Sequence, residues 1–394
     1  MESFEARVRD VEWTRFHHAY GPAEDVPDLL LAVANADHDI EAFSNATSAL
    51  WGNVFHQGTR WGVTSKTAPF FIELLANGPR LARARSFLVV YLHHLALGYP
   101  ESVFPGHFPL GEVVAIGAEL EALGLPRRAL DGDIFGDDVE PAVAAVHDRI
   151  TALWERDCFL SVERGVPTVL PLLTDADETL ALEAMALVSS FPGQKHASEP
   201  ALWRVANDPE FEGRRGPALV ALARLGAEGV VNAARVLMDA DEGLDGVYAA
   251  AAEVLASDDA SEIARRRLTQ LPDGSEALAC PFVETVASLV ALCLEKAPPS
   301  DPLLGVTQLS ALLASAKGVE KMSVLHRLLL VAFSRHFEGA LHDELQRLAV
   351  QACVDHALWQ EKSVFVNQNE IFRAHRLPTE RCLLAALLVK PPAS

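Results

Sequence analysis

The sequence is poor in basic residues. Lysine and arginine number 33 against 54 aspartates and glutamates, a formal net charge of −21 over 394 residues. A field of that sign repels phosphate backbones and argues against nonspecific nucleic-acid binding, unless the basic residues are segregated on one face. Cysteine is scarce too. Cys158, Cys280, Cys293, Cys353 and Cys382 are odd in number and no pair has metal-ligand spacing, so they read as reduced core thiols of a cytoplasmic protein. Long apolar runs are missing: candidates such as 328–333 are a few residues long, and the opening MESFEARVRDVEW is charged and amphipathic. Neither a membrane partner nor a leader is expected. No Gly-rich phosphate loop, GxSxG, HExxH or CxxC pair occurs, so the local signatures of several enzyme chemistries are absent.

What is present is helical periodicity. Half of the residues are apolar, enough to bury a long core. In the stretch 26–50, Val26, Leu29, Leu30, Val33 and Ala34 recur at the spacing of one helical face. The turn Ala36-Asp37-His38-Asp39 interrupts them, and Ile40, Phe43, Ala46, Thr47 and Leu50 resume the pattern. This spacing predicts a helical hairpin. Residues 166–191 repeat it, displaced by 140 at the Val-Pro pair and by 138 at the aspartates, with Asp175-Ala176-Asp177 in the turn. Weaker copies begin at Ala68-Pro69 and Gly216-Pro217, and a third Asp-x-Asp turn stands at Asp239-Ala240-Asp241. A helical hairpin cannot bury its apolar stripe alone, so repetition points to stacked neighbours.

The pattern resembles the HEAT repeat over residues 23–97 and 165–256, and the string from Trp13 to Leu75 is similar to the amino-terminal end of a group of bacterial HEAT-repeat proteins. The resemblance implies an all-α fold, a right-handed α-solenoid of HEAT-like antiparallel helix pairs running as one continuous array. Its expected parts are an N-terminal cap with the first repeats (1–97), a loop-rich insertion (98–141), central repeats (142–272), and irregular C-terminal repeats with a cap (273–394). The stretch 98–109 holds three prolines, and 131–141 reads as an acidic loop. Insertions of this kind map to one face of a solenoid, often the binding face.

Candidate functional residues fall in two groups. Met1 to Tyr20 reads as one helix, which sets His17 four residues after Trp13 on a single face; Trp51, His56, Gln57 and Trp61 surround the next turn. With His18 and Tyr20 they suggest a shared pocket, against the alternative of capping and core packing. The second group is Asp131, Asp133, Asp137 and Asp138. Asp131, Asp133 and Gly136 match positions one, three and six of a calcium loop, but Phe135 and Ala142 stand where positions five and twelve need oxygen ligands, so no metal is expected. His93 and His94 point about 100° apart on a helix and do not share a metal. The basic clusters Arg83 with Arg85, Arg127-Arg128, Arg214-Arg215 and Arg265-Arg266-Arg267 leave a nucleic-acid reading open, which the net charge opposes.

These observations lead to the expectation of a non-enzymatic interaction scaffold with no catalytic residue and no cofactor. It would bind a protein or peptide partner on an acidic concave surface, as an immunity or escort protein does for a basic partner. The alternatives are a nucleic-acid-binding or DNA-glycosylase-like HEAT protein, or a prosthetic-group lyase.

Overall fold

The protein is all-α. The computed structural model describes residues 2–134, 139–333, 337, 339–357, 359 and 368–389. They form two compact units, residues 1–205 and 206–394. In the first lie α1 (Phe4–Asp10), α2 (Val26–Ala34), α3 (Ile40–Asn53), α4 (Thr64–Asn77), α5 (Ala82–Leu97), α6 (Pro100–Val103), α7 (Leu110–Ala122), α8 (Arg127–Asp131), α9 (Pro141–Ala144), α10 (His147–Val169) and α11 (Glu178–Ser189). The unit boundary falls within α12 (Lys195–Asn207). In the second unit lie α13 (Arg215–Arg224), α14 (Val230–Ala240), α15 (Leu244–Ala256), α16 (Glu262–Arg267), α17 (Val286–Lys296), α18 (Pro302–Ser315), α19 (Gly318–Ala332), α20 (Glu344–His356), α21 (Gln368–Ala374) and α22 (Arg381–Val389). The only sheet among the described residues is a pair of two-residue hairpins, β1 (His17–His18) with β2 (Gly21–Pro22) and β3 (Phe55–His56) with β4 (Thr59–Arg60). No described helix is long and apolar enough to cross a membrane.

In the third Asp-x-Asp turn, Asp239-Ala240-Asp241, Asp241 follows the end of α14 and caps no helix start, α15 beginning after Gly243 without a side-chain cap; the other two turns share a chemistry. The second aspartate is a helix cap: Asp39 accepts the Ala42 amide at 2.9 Å to start α3, and Asp177 accepts the Leu180 amide at 3.2 Å to start α11. Each satisfies an amide that the first helical turn leaves open. The first aspartate reaches to a neighbouring segment. Asp37 accepts the Arg80 and Leu81 amides, both at 2.8 Å, and these two donors hold its carboxyl below the usual carboxylate range. Asp175 takes the Arg85 guanidinium at 2.7 Å, tying α11's approach to α5.

The two clear copies of the pattern differ before that turn. Val26-Pro27 opens α2, with proline in the first turn where no amide is needed. Val166-Pro167 instead lies near the end of the 23-residue helix α10, which passes into a 3₁₀ turn at Leu170–Thr174. The amino terminus also departs from expectation. The helix predicted over Met1 to Tyr20 stops at Asp10, and Trp13–Arg15 is a single 3₁₀ turn. Gly21 adopts a φ of +132°, open to glycine, and β1 folds back on β2. His17 therefore does not share a helical face with Trp13.

The first unit is built on α10, which packs against α4, α5 and α7. Its buried residues include Trp154, Cys158, Phe159, Val162 and Val166. In the second unit, α13 and α15 pack together through runs of buried alanine, glycine and valine. The contact is close enough that a Cβ on Gly216 would lie 2.6 Å from both the Asp245 carbonyl oxygen and Tyr248 Cβ. Glu253 is fully buried on α15, yet it receives the Arg235 Nε and Nη2 hydrogens and the Ser261 amide and hydroxyl. Four donors offset the cost of burying that carboxylate. Cys158, Cys280, Cys293 and Cys353 are buried and Cys382 is exposed. Burial pushes the Cys158 and Cys353 thiols far up and that of Cys293 to about 12.

Two predictions follow from this packing. Gly216→Ala forces backbone apart between α13 and α15 and should cost about 1–3 kcal/mol, read as a lowered urea midpoint for residues 206–394. Glu183 on α11 accepts the Ser86 hydroxyl at 2.6 Å, and burial raises its carboxyl to about 7. Between the ordinary glutamate range and about 7 the folded chain holds this proton and the unfolded chain does not, so its contribution to stability falls as pH rises through that window. Glu183→Gln should flatten that decline in a pH series of unfolding midpoints.

Candidate functional site

Two short hairpins position the candidate site. The β3–β4 turn uses Gln57 at φ 49° and Gly58 at φ 84°, the twist that a two-residue hairpin loop requires. The first hairpin is anchored by its backbone: the Ala19 amide donates to the Asn53 carbonyl at 3.1 Å, and the Val63 amide to the His17 carbonyl at 3.4 Å. His18 locks the base of that hairpin. Its Nδ1 accepts the Tyr20 amide at 3.1 Å, so Nε2 carries the hydrogen and meets Asp25 Oδ1 at 2.9 Å. Asn53 donates to the other Asp25 oxygen at 2.9 Å. With both ring nitrogens committed, His18 is a structural histidine.

Beyond the hairpins, Gly62 comes so close to the end of α8 that a Cβ there would stand 2.3 Å from the Asp131 carbonyl oxygen. This approach sets Trp61 beside Trp154, their ring centres 6.1 Å apart, over the cluster of Leu120, Leu130, Ile134 and Ile150. A cleft of about 350 Å³ results, walled by His17, His18, Tyr20, Trp61 and Asp133. None of its described lining residues is lysine or arginine. The His17 ring makes no hydrogen bond among the described residues, whereas His56 donates from Nδ1 to the Gly52 carbonyl at 2.9 Å and packs edge-on against Tyr20 at 5.4 Å. Aromatic rings beside a carboxylate form a surface suited to a positively charged group.

Of the residues singled out in the sequence, this cleft gathers His17, Trp61 and Asp133, and His56 adjoins it through Tyr20. The others lie elsewhere. Trp13 is buried, donates its Nε1 hydrogen to the Val8 carbonyl at 2.7 Å and packs on Phe70. Trp51 meets Phe55, Tyr91 and His94 edge-on at 5.3, 4.8 and 4.9 Å. That aromatic core also buries His94, which burial makes harder to protonate. Gln57 lines a second cleft on the far side of its hairpin.

Asp131 is not part of a solvated loop. It ends α8, is buried, and faces Arg127, whose Nε donates to Oδ2 at 2.8 Å. Arg127 Nη2 stands 2.7 Å from Asp131 Oδ1 and 2.6 Å from Asp157 Oδ2 as charge contacts; the Nε bond is the one aligned as a hydrogen bond with Asp131. Asp157 in turn accepts from Arg156 Nε at 3.0 Å. Asp137 and Asp138, with Phe135 and Gly136, lie outside the described residues. No group of three His, Cys, Asp or Glu side chains among the described residues is arranged to hold a metal ion.

Arg60 and Glu155 were not singled out in the sequence, yet they form an ion pair in the lining of the second cleft, the arginine buried and the glutamate partly exposed. A signal existed: Glu155-Arg156-Asp157 is a charge run set between the apolar pairs Leu153-Trp154 and Cys158-Phe159. Asp131→Ala removes the carboxylate that Arg127 Nε bonds but leaves Arg127, half-exposed, with Asp157, so it should cost about 1.5 kcal/mol, measured by urea unfolding, and should disturb the wall that carries Asp133. Comparison with protein-family models and with curated proteins finds no match to this chain.

Proposed function

We propose that the protein is a non-enzymatic binding protein that holds a basic protein or peptide, with a cationic side chain of that partner entering the cleft of His17, Tyr20, Trp61 and Asp133. The observation that carries this reading is where the arginines go. In residues 1–205, Arg7, Arg60, Arg85, Arg127, Arg149 and Arg156 each pair with a carboxylate. In residues 206–394, Arg235 and Arg327 do the same, Arg266 pairs with Glu262, and Arg267 donates to the carbonyls of Asp241 and Gly243. Many of the arginines are thus matched by acceptors of the chain itself, at the surface as with Arg266 or inside as with Arg60, while Glu24, Glu41, Glu112, Asp133, Glu140 and Glu178 are among the exposed carboxylates. Such a surface attracts cations and repels phosphate, which favours a basic protein over nucleic acid.

The same reading takes the helices of each unit as HEAT-like antiparallel pairs with a right-handed wind, presenting acidic concave walls to the partner. It is supported by the two Asp-x-Asp turns whose second aspartates cap α3 and α11. An immunity or escort role for a basic protein is the biological form it would take. Titration of the full chain with a peptide rich in lysine and arginine should give binding that weakens as salt is raised. Trp61→Ala and Asp133→Asn should each weaken it by about tenfold. Retention of duplex DNA at physiological salt, with no peptide binding at low salt, would overturn the proposal.

A further inference from the structure

On the opposite side of the β3–β4 hairpin lies a cleft of about 500 Å³ built around a buried arginine. Arg60 is 5 % exposed. Its Nη2 meets Glu155 Oε1 at 2.9 Å, its Nη1 donates to the Gly58 carbonyl at 3.0 Å, and its guanidinium lies 5.9 Å from the centre of the Phe108 ring. Its Nε has no hydrogen-bond partner among the described residues. Two left-handed glycines make the room: a Cβ on Gly98 (φ +80°) would lie 2.3 Å from Arg60 Nη1, and one on Gly58 (φ +84°) 2.5 Å from the Tyr99 ring. Leu97, Val103 and Phe108 supply apolar wall, and Ser102 and Thr151 complete the lining.

We infer that this cleft binds a free α-amino acid with an apolar side chain. The floor presents one fixed positive and one fixed negative group side by side. A ligand of single charge is attracted by one and repelled by the other, and a neutral apolar ligand strips water from both without replacing it. A zwitterion satisfies both: its carboxylate takes the Nη hydrogens that Glu155 and Gly58 leave over, and its ammonium donates to Glu155, whose side chain is 31 % exposed. The side chain of the amino acid then lies along Phe108, Leu97 and Val103. The volume falls within the range of about 300–1,000 Å³ that small-molecule sites occupy. A structural role for the ion pair as a clamp between hairpin and α10 does not explain an open cleft above it, since an apolar pair would clamp as well without the cost of burying charge.

Calorimetric titration of the full chain with L-leucine and L-phenylalanine tests this, with phenethylamine and phenylpropionate as singly charged controls. The amino acids should bind in the millimolar range or tighter and each control about tenfold more weakly. Ser102→Trp, which fills the mouth without touching the ion pair, should abolish binding while leaving the unfolding midpoint in place. Glu155→Gln should weaken the amino acids and spare phenylpropionate. The inference falls if neither amino acid binds, if the controls bind as well as the amino acids, or if the Ser102→Trp chain binds like the unmodified one.

Discussion

Burial of helix α10 is the constraint on which residues 1–205 depend. A helix that packs against α4, α5 and α7 must be apolar where it meets them, and Trp154, Phe159, Val162 and Val166 meet that demand. The run Glu155-Arg156-Asp157 breaks it, and each of the three charges must find a partner on the elements around the helix. Glu155 takes Arg60 from the hairpin, Asp157 takes Arg127 from α8, and Arg156 reaches Glu121 near the end of α7 at 2.8 Å. Trp154 adds a hydrogen bond to the Leu130 carbonyl at 3.1 Å. These contacts fix the hairpin and α8 to the same helix, and so both clefts take their walls from the way α10 is neutralised.

The pairing of arginine with carboxylate leaves the surface with the sign that the composition gives it. Pairing of arginine with carboxylate is close to neutral in free energy when exposed and costs desolvation when buried, so it adds specificity of position more than stability. Its consequence for binding is indirect. Each pair removes one basic and one acidic group together, so the acidic excess of the chain is undiminished by the pairing and is expressed outward.

Features set by local chemistry were legible in the sequence, and those set by distant approach were not. The turn aspartates could be read because a cap bonds to an amide three residues on, as Asp39 does with Ala42. His17 was misplaced because β1 pairs with β2 through one glycine, a choice that periodicity does not report. Val166-Pro167 matches Val26-Pro27 in sequence and differs in structure because a preceding helix, α10, runs through it. Asp131 looked like a loop carboxylate since its partner Arg127 also reads as part of a basic cluster. The pairing of Arg60 with Glu155 joins positions far apart in the chain, and nothing in the spacing of either reveals the other.

The placement of the thiols gives the two units separate reporters. Cys158 is the single cysteine of residues 1–205, whereas Cys280, Cys293 and Cys353 are the buried ones of residues 206–394. Because the nucleophile is the thiolate, and burial suppresses its formation, these four groups stay silent toward alkylating reagents while their surroundings hold, and Cys382 reacts from the outset. The moment at which each one becomes modifiable therefore dates the opening of its own unit, with no probe added to the chain.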